Sequence, residues 1–329
     1  MMPARNSIFP KNEFLVTENM TKFCAFIVTF NRPHILKNTI DAIFNQTQPP
    51  QFILVVDNGD DPEMATLLQT YSADKIGYHS MGENAGPPGA IAYGIQWAYE
   101  NNYQWVYWGD DDDPPQTPDT LERLLNLIKQ KDDSKIAGVG AVGVRWNWQK
   151  GELERLADSD LHDIVKVDMI AGGQHFILRS DMAEKVGLPN KDLFFGLDDL
   201  EYCLRLQQAG YHLYIDGDLM KEYRHLAGRL NIQQRRAIIP TAPQNTLWRR
   251  YYSTRNYIFM MRNVFHRSDL AHREMAKSLI RCLTAWQRGI KFGITFNRYQ
   301  LGGIIDGYLG RMGRTILPIA KVKTNFRQD

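Results

Sequence analysis

The 329-residue chain is long enough for about two domains of average size. Its 43% hydrophobic and 23% charged residues are ordinary for a globular protein and exclude global disorder. No apolar run reaches the roughly 18 residues that span a bilayer, and the first residues lack the apolar core of a signal peptide, so a cytoplasmic location is predicted. The three widely spaced cysteines are interpreted as buried thiols, since their spacing fits neither a disulfide framework nor a zinc site.

The charge is divided unevenly along the chain although the net charge is only +2. Residues 221–329 carry 21 Lys and Arg against 5 Asp and Glu, a net charge of +16, whereas residues 1–220 carry 18 against 32, a net charge of −14. This asymmetry predicts an anionic partner for the C-terminal third: nucleic acid, a lipid headgroup surface or a phosphorylated ligand.

Short β-rich runs alternate with helical patterns from residue 23 onward, which predicts an α/β fold with a mostly parallel sheet covered by helices. In chain order we predict strands at 24–30, 52–56, 75–79 and 105–108, and helices at 33–45, 62–70, around 90–98 and at 118–128. The middle of the chain predicts strands at 136–144, 175–178 and 211–215 with a helix at 197–209. From Trp248 onward the chain is predicted to be helical, with amphipathic stretches at 251–265 and 273–292.

Four consecutive carboxylates, Asp110 to Asp113, follow the predicted strand at 105–108. Four such groups repel one another at close range, and a divalent cation such as Mg²⁺ or Mn²⁺ would relieve the repulsion. The carboxyl end of a strand is also where open α/β sheets bind ligands. We therefore predict a metal site here, in preference to a solvated turn that caps the next helix.

Polar residues end two further strands at the same predicted edge of the sheet. Asp57 follows the second strand, and the segment Thr29, Phe30, Asn31 and Arg32 follows the first. Asp57 is predicted to contact a base or ribose rather than only to form an Asp-Asn-Gly turn, and Arg32 is a candidate for a phosphate contact.

The sequence Gly138 to Gly143 matches the G-x-G-x-x-G dinucleotide fingerprint. We interpret the match as fortuitous, because the residues after Gly143 continue as strand or loop where the fingerprint requires a helix. No phosphate loop of a P-loop NTPase, nucleophile elbow or zincin motif is found.

Asp198 and Asp199 begin a predicted helix after an apolar segment. Carboxylates at a helix N-terminus serve as caps, but a carboxylate placed there can also act as a general base. His225 is a candidate third metal ligand, the alternative being a structural role.

Taken in order, these residues resemble an inverting glycosyltransferase of family 2 with the GT-A (Rossmann-like) fold. The resemblance covers residues from about 22 to 265 and also includes Asn84-Ala85-Gly86 and the run from Asp198 to Arg205, which is similar to bacterial galactofuranosyltransferases. The later segment from Arg249 to Asn256 resembles one shared by rhamnosyl- and galactofuranosyltransferases.

The resemblance implies a role for each of these residues. Asp199 would be the catalytic base, and Asp111, Asp113 and His225 would bind Mn²⁺ or Mg²⁺, with the register of the metal aspartates open within Asp110–Asp113. The nucleotide-sugar would be bound by residues at the strand ends and in the acidic loop, namely Thr29, Phe30, Asn31, Arg32, Asp57, Asn84, Asp111 and Asp112. The acceptor would be bound by Asp198, Glu201, Trp146, Gly172 and Gly173.

The same resemblance implies an N-terminal extension at 1–21, a GT-A catalytic domain at 22–245 and a basic helical region at 246–329. Within the catalytic domain, residues 22–115 would bind the nucleotide and 116–245 the acceptor, a glycan or lipid-linked glycan in cell-surface polysaccharide synthesis. UDP-galactofuranose and dTDP-rhamnose are the favoured donors. Displacement of a nucleoside diphosphate by a hydroxyl requires a cation for the leaving charge and one base opposite it, which gives inversion.

Two other functions are compatible with parts of the sequence. A nucleotidyltransferase also uses clustered aspartates and Mg²⁺, but it normally has a Gly-rich loop after the first strand, where this chain has Phe30-Asn31-Arg32. A nucleic-acid-binding protein would use the aromatic and basic C-terminal third but would leave the metal site unexplained, so no nucleic-acid partner is predicted.

The basic C-terminal helices are predicted either to pack on the catalytic domain or to dock on an anionic membrane. Arg273, Lys277, Arg281, Arg288 and Lys291 recur at helical spacing beside apolar residues. Such a surface allows peripheral binding at the inner face of the cell membrane without a spanning segment. A homo-oligomer is the other partner that the sequence allows.

Overall fold

The computed structural model describes residues 22–131, 133–232 and 242–316. These residues group into two units, one made of 22–191 with 198–232 and the other of 192–197 with 242–316. The predicted N-terminal extension lies outside the described residues. Segment 192–197, predicted within the catalytic domain, groups with the C-terminal helices, and the predicted boundary at 245/246 lies inside the second unit.

The strands of the first unit form two sheets. In chain order they are β1 (Phe23–Thr29), β2 (Ile53–Asp57), β3 (Ile76–Ser80), β4 (Trp105–Asp110), β5 (Ile136–Gly140), β6 (Gly143–Asn147), β7 (Glu152–Glu154), β8 (Ile164–Val167), β9 (Met169–Ile170), β10 (Phe176–Arg179) and β11 (His212–Asp216). Eight of them form one sheet in the order β3-β2-β1-β4-β10-β5-β11-β8, and β7, β6 and β9 form the second. In the large sheet only β10 and β8 run antiparallel to their neighbours, so the predicted mostly parallel sheet is confirmed.

The helices of the first unit cover this sheet. They are α1 (Pro33–Phe44), α2 (Pro62–Leu68), α3 (Gly86–Glu100), α4 (Thr120–Lys131), α5 (Met182–Lys185), α6 (Asp198–Gln208) and α7 (Gly217–Leu226). The elements predicted between residues 23 and 128 are all found, with ends that differ by a few residues. Helix α7 was not predicted; it begins where the Asp216 carboxylate accepts a hydrogen bond from the backbone N–H of Leu219 at 2.8 Å.

The core follows from the periodicity of the sequence. Every residue of β1 and β2 is buried, as expected for strands covered on both faces. Leu36, Ile40 and Ile43 form the buried face of α1 and pack in the same cluster as strand residues such as Ile27 and Val55. This apolar packing fixes the sheet whose edge carries the polar residues described below.

The stretch predicted as one strand at 136–144 is two strands in different sheets. β5 ends at Gly140 and Gly143 begins β6, so no helix opens at the third glycine of the G-x-G-x-x-G match, as predicted. The glycines have a packing role instead. A Cβ atom at Gly138 would come within 2.4 Å of the Phe176 ring, and one at Gly140 within 2.5 Å of Ile170.

The second unit contains α8 (Trp248–Phe259), α9 (Ser268–Thr284) and α10 (Ile290–Leu309). A π-helical turn, Met260–Val264, follows α8, and a 3₁₀ turn, Ala285–Arg288, precedes α10. The prediction of one helix at 273–292 was therefore wrong. Gly289 has a φ of +99°, a conformation that an α-helix cannot continue through, so the amphipathic pattern is divided between two helices.

Helix α10 packs closely on α8 through two glycines. A Cβ atom at Gly303 would lie 2.6 Å from the Tyr251 carbonyl oxygen, and one at Gly307 would lie 2.8 Å from the Arg255 carbonyl oxygen. The buried amide of Gln300 donates hydrogen bonds to the hydroxyls of Thr254 and Ser278, at 2.6 and 2.7 Å. The three helices therefore share a core that contains the inner face of α10.

Segment 192–197 is held by two buried side chains of α8, Asn256 and Arg255, and the guanidinium of Arg255 donates to the Leu193 carbonyl oxygen at 2.7 Å. In this segment Phe194, Gly196 and Leu197 all have positive φ, which costs energy for the two that carry side chains. The amide of Asn256, which is fully buried, donates to the carbonyl oxygens of Leu193, Phe195 and Gly196 at distances of 2.9 to 3.0 Å. These hydrogen bonds compensate for the strained backbone.

Replacement of Asn256 by Ala is expected to lower the free energy of unfolding by about 2–3 kcal/mol, because the carbonyl groups of Phe195 and Gly196 lose this donor, whereas that of Leu193 keeps its hydrogen bond from Arg255. Urea unfolding followed by tryptophan fluorescence measures the change. Asn263→Ala, a substitution of an exposed residue in the same unit, is the matched control and is expected to change stability by less than about 0.5 kcal/mol. Equal stability of the two variants would contradict the anchoring role of Asn256.

Candidate active site

The predicted ligand residues meet at one edge of the large sheet. Thr29, the last residue of β1, is in register with Asp57, the last residue of β2, and Val28 is in register with Asp110 at the end of β4. Asp57 is also in register with Ser80 at the end of β3. Four parallel strands thus end together, which is the position where open α/β sheets bind ligands.

The segment after β1 is tied to the acidic loop after β4. The hydroxyl of Thr29 donates to the carboxylate of Asp111 at 2.7 Å. Arg32 donates to the carboxylates of both Asp111 and Asp112, at 2.5 and 2.7 Å. Asp111 is fully buried and Arg32 is partly exposed. The positive charge of the Arg32 guanidinium therefore balances these carboxylates where the site meets solvent.

Asp57 is fully buried, yet only one of its carboxylate oxygens is hydrogen-bonded within the described residues. Oδ2 accepts from the Tyr78 hydroxyl at 2.9 Å and from the N–H of Asp61 at 3.0 Å, whereas Oδ1 has no partner. Burial raises the pKa of this carboxyl group. An acceptor without a donor at a ligand edge is what a base or ribose contact requires.

Asn84 lies two residues before Gly86, at the start of α3. Its side-chain oxygen accepts from the N–H of Gly86, the first residue of α3, at 2.9 Å. Of the other predicted nucleotide contacts, Phe30 is 42% exposed and Asn31 has a φ of +54°. A Cβ atom at Gly59 would come within 3.3 Å of the Phe30 ring, so these residues form a turn over the loop that follows β2.

The four aspartates of the acidic loop differ in their surroundings. Asp111 and Asp112 are paired with Arg32, but no described cation is paired with Asp110 or Asp113. Burial, followed by repulsion from neighbouring aspartates, raises the pKa of Asp110 to about 7 and that of Asp113 to about 6. Two partly buried carboxylates with hard oxygen donors and no cation paired with them in the described residues fit a divalent cation.

Gly172 and Gly173 lie against the end of β4. Gly173 forms a β-bridge with Gly109 and has a φ of +78°. A Cβ atom there would come within 2.2 Å of the Asp110 carboxylate, and one at Gly172 within 2.4 Å of the Trp108 ring. The acidic loop and this glycine pair can therefore approach each other only without side chains at these two positions.

The start of α6 brings two further carboxylates to the same place. Asp199 accepts hydrogen bonds from the backbone N–H groups of Leu200, at 2.7 Å, and Gly172. Its charge is near enough to contribute to the raised pKa of Asp110. Asp198 is buried while Asp199 is partly exposed, and burial raises the pKa of both. Asp199 is thus the carboxylate of this pair that is accessible from solvent.

Glu201 is held by a different contact. It is almost fully buried, and its two oxygens accept from Arg205 at 2.5 and 3.0 Å. Arg205 also donates to the carbonyl oxygens of Val186 and Leu188. This ion pair gives Glu201 a structural role, while its predicted contact with the acceptor stays a prediction.

The three predicted metal ligands do not form a cluster. His225 is exposed in the last turn of α7, and across the described ranges no three His, Cys, Asp or Glu side chains are placed to hold one ion. The set Asp111, Asp113 and His225 therefore stays a prediction. Trp146, predicted for the acceptor, is buried on β6, where it packs edge-on against Trp148 with ring centroids 5.8 Å apart.

Several supporting residues were not predicted from the sequence. The Thr39 hydroxyl donates to the Asp111 carbonyl oxygen at 2.6 Å, and Tyr78 supports Asp57 as described above. Behind the acidic loop, the buried Tyr107 hydroxyl is hydrogen-bonded to His175 at 2.8 Å. Burial lowers the pKa of His175 to about 3, so this imidazole is neutral. Only the position of Tyr78 two residues before the end of β3 could have suggested its role.

Residues 24–187 match the family model described as glycosyl transferase family 2. These residues, just under half of the chain, therefore form a domain of glycosyltransferase family 2. The match favours glycosyl transfer over the nucleotidyltransferase alternative.

Among curated relatives, the chain is 27% identical over 201 residues to galactofuranosyltransferase GlfT1 of Mycolicibacterium smegmatis. That alignment covers 57% of this chain and 66% of the relative, so just under two thirds of the relative's length is matched. The dTDP-rhamnosyl transferase RfbF of Shigella flexneri is 24% identical over 301 residues, which cover 88% of this chain and 96% of the relative.

Two solved structures share the fold at low sequence identity. The mannosyltransferase PcManGT of Pyrobaculum calidifontis, in complex with GDP-Man and Mn²⁺, has a TM-score of 0.53 at 14% identity and covers 88% of each chain. S. aureus TarS in complex with UDP-GlcNAc has a TM-score of 0.52 at 11% identity, with 87% of this chain and 81% of that chain covered. These likenesses establish the GT-A architecture of the chain.

Proposed function

We propose that the protein is an inverting glycosyltransferase that moves a sugar from UDP-galactofuranose or dTDP-rhamnose to a hydroxyl of a glycan or glycolipid in cell-surface polysaccharide synthesis. The observation that carries the proposal is the position of Asp199. This partly exposed carboxylate lies beside Asp110 and Gly172 at the edge where four strands end. The names of the two relatives support these two donors.

The nucleotide-binding role falls to the residues at the ends of β1 and β2 and the start of α3. Asp57 would accept a hydrogen bond from the base or ribose through its unpaired oxygen. Arg32, already partly exposed, would place its positive charge near the diphosphate. Thr29, Phe30, Asn31, Asn84 and Asp112 complete the proposed donor contacts.

The metal-binding role falls to the acidic loop. A bound Mn²⁺ or Mg²⁺ would stabilise the negative charge that develops on the departing diphosphate. Asp113 and Asp110 are the carboxylates that best fit such an ion, because Asp111 is already bonded to Thr29 and Arg32. His225 and Asp111 remain candidates if the loop rearranges when the donor binds.

The acceptor-binding role falls to α6 and the glycine pair. Asp199 would accept the proton of the incoming hydroxyl, and attack on the face opposite the diphosphate would invert the anomeric centre. Asp198, Trp146, Gly172 and Gly173 would surround the acceptor. Because both favoured classes of acceptor can be attached to lipid, the proposal includes peripheral binding to an anionic membrane.

The donor is tested by offering UDP-galactofuranose and dTDP-rhamnose separately with Mn²⁺ and a glycan acceptor. We expect one of them to release its nucleoside diphosphate and to label the acceptor, with inverted configuration in the NMR spectrum of the product. Release of pyrophosphate from a nucleoside triphosphate and a sugar phosphate, without transfer from either donor, would instead establish a nucleotidyltransferase.

A further inference from the structure

Large apolar side chains are exposed along one side of α10. Ile290, Ile294, Leu301, Ile305 and Leu309 are between 40% and 75% exposed. They are separated by four or seven residues, which places them on one stripe of the helix, and at about 1.5 Å per residue this stripe is roughly 30 Å long. The opposite side of α10 carries Gly303 and Gly307, which pack on α8. The stripe therefore faces away from the helix core of its own unit.

Helix α9 continues this exposed apolar surface. Leu279, Ile280 and Leu283 are 44%, 54% and 75% exposed, whereas Ser278 and Cys282 on the other side of the helix are buried. With Trp286 in the connecting turn, nine of the thirteen exposed large hydrophobic residues in the described ranges belong to α9, α10 and the turn between them. We call the exposed residues of these two helices and their turn the outer face. Such a concentration marks an interaction surface.

The exposed charges on the outer face are positive, except for Asp269 in the first turn of α9, which is paired with Arg267. Arg273, Arg288, Lys291 and Arg298 are exposed between residues 272 and 310, and no Asp or Glu is exposed there. The two carboxylates of this range, Glu274 and Asp306, are partly buried and accept hydrogen bonds from Arg281 and Tyr251. The apolar stripe is thus bordered by cations alone.

We propose that the outer face docks on an anionic lipid surface, with the apolar stripe of α10 at the boundary between headgroups and acyl chains. Apolar side chains flanked by Lys and Arg characterise helices that lie in the plane of a membrane. Within the described residues no helix is both long and apolar enough to cross a bilayer, which agrees with binding in this plane. The proposal extends the proposed function by naming the surface that meets the membrane, but it does not depend on the identity of the donor.

Sedimentation of the full chain with vesicles tests this surface. We expect binding to phosphatidylcholine vesicles that contain phosphatidylglycerol and little binding to pure phosphatidylcholine. Raising the ionic strength from about 0.01 M to about 1 M, which shortens the Debye length from about 30 to about 3 Å, is expected to release most of the protein.

Two sets of variants separate the contributions of charge and apolar area. Lys291→Glu with Arg298→Glu is expected to weaken binding to anionic vesicles at least about twentyfold, since each basic residue near such a leaflet strengthens binding about fivefold. Ile294→Gln with Ile305→Gln is expected to weaken binding as well. Arg281 is not suitable, because it is already bonded to Glu274. The matched controls on the first unit are Lys129→Glu with Lys166→Glu, and Ile35→Gln, all at exposed positions.

Retained binding by the controls and loss in both sets of variants would support the proposal. Absence of binding to anionic vesicles at low salt, equal binding to neutral vesicles, or wild-type binding by the outer-face variants would overturn it. A dimer in light scattering that both sets of outer-face variants dissociate, without vesicle binding, would assign the face to a second copy of the chain and would also overturn it. Transfer to a water-soluble acceptor is measured in parallel. If this transfer is retained while vesicle binding is absent, the membrane-docking proposal fails and the glycosyltransferase proposal stands.

Discussion

Replacement of Asp199 by Asn is expected to lower the turnover of glycosyl transfer by at least about 10²-fold while donor binding is kept. Asn is nearly isosteric with Asp, and its side-chain oxygen can still accept the hydrogen bonds from Leu200 and Gly172. It cannot accept a proton from the acceptor hydroxyl. Steady-state kinetics with a saturating donor measure the turnover, and a thermal shift with the nucleotide-sugar measures donor binding.

Asp218→Asn is the matched control for this variant, because Asp218 lies in the first turn of α7 and accepts a hydrogen bond from the N–H of Asp163. A helix-capping role for Asp199 would make the two substitutions equally mild. Turnover within about threefold of wild type in Asp199→Asn would remove Asp199 from the mechanism.

Removal of the divalent cation is the other change for which we expect a large effect. Excess EDTA is expected to abolish transfer, and Mn²⁺ or Mg²⁺ is expected to restore it, because an unscreened diphosphate is a poor leaving group. Asp113→Ala is expected to lower activity about 10³-fold or more with the fold intact. Circular dichroism checks the fold.

A second measurement for the metal does not depend on activity. Mn²⁺ at about one hundred times its Kd would stabilise the wild-type protein by about 2.7 kcal/mol, which a thermal melt detects. The Asp113→Ala protein should lose this stabilisation, and Asp160→Ala, at an exposed position outside the site, should keep it. Full transfer in excess EDTA, or equal stabilisation of all three proteins, would show that the acidic loop does not bind the cation.

The first half of the fold could be predicted because its sequence pattern is repeated and local. Buried strands such as β1 are continuous apolar runs, and helices such as α1 show apolar residues at a spacing of three to four. The stretch 136–144 was wrongly predicted as one strand, because it contains two strands joined by a two-residue turn. The residues on both sides of this turn are apolar, so the composition of the sequence shows no break there. Helix α7 was not predicted because no loop separates it from the preceding strand. Its N-cap residue, Asp216, is also the last residue of β11.

The strand-end residues of the candidate site could also be predicted, since topology alone brings the ends of parallel strands together. What the sequence could not provide is how the charges pair. Arg32 is about 80 positions away from the aspartates it contacts, and only the pairing of β1 with β4 makes them neighbours. The burial of Glu201 could not be predicted for a different reason. Its partner Arg205 lies four residues further along the helix, and ion pairs with this spacing are usually exposed.

The close approach of Gly173 to Asp110 has a practical consequence for anyone who wishes to change the specificity of this enzyme. Saturation libraries at positions 172 and 173 would consist mostly of proteins in which the acidic loop is displaced, because any side chain at these positions meets Asp110 or Trp108. Such libraries would report lost catalysis and not new acceptors. The hairpin of β6 and β7, which carries Trp146, pairs with β9 and not with the strands that end at the acidic loop, so it is the better place for such a library.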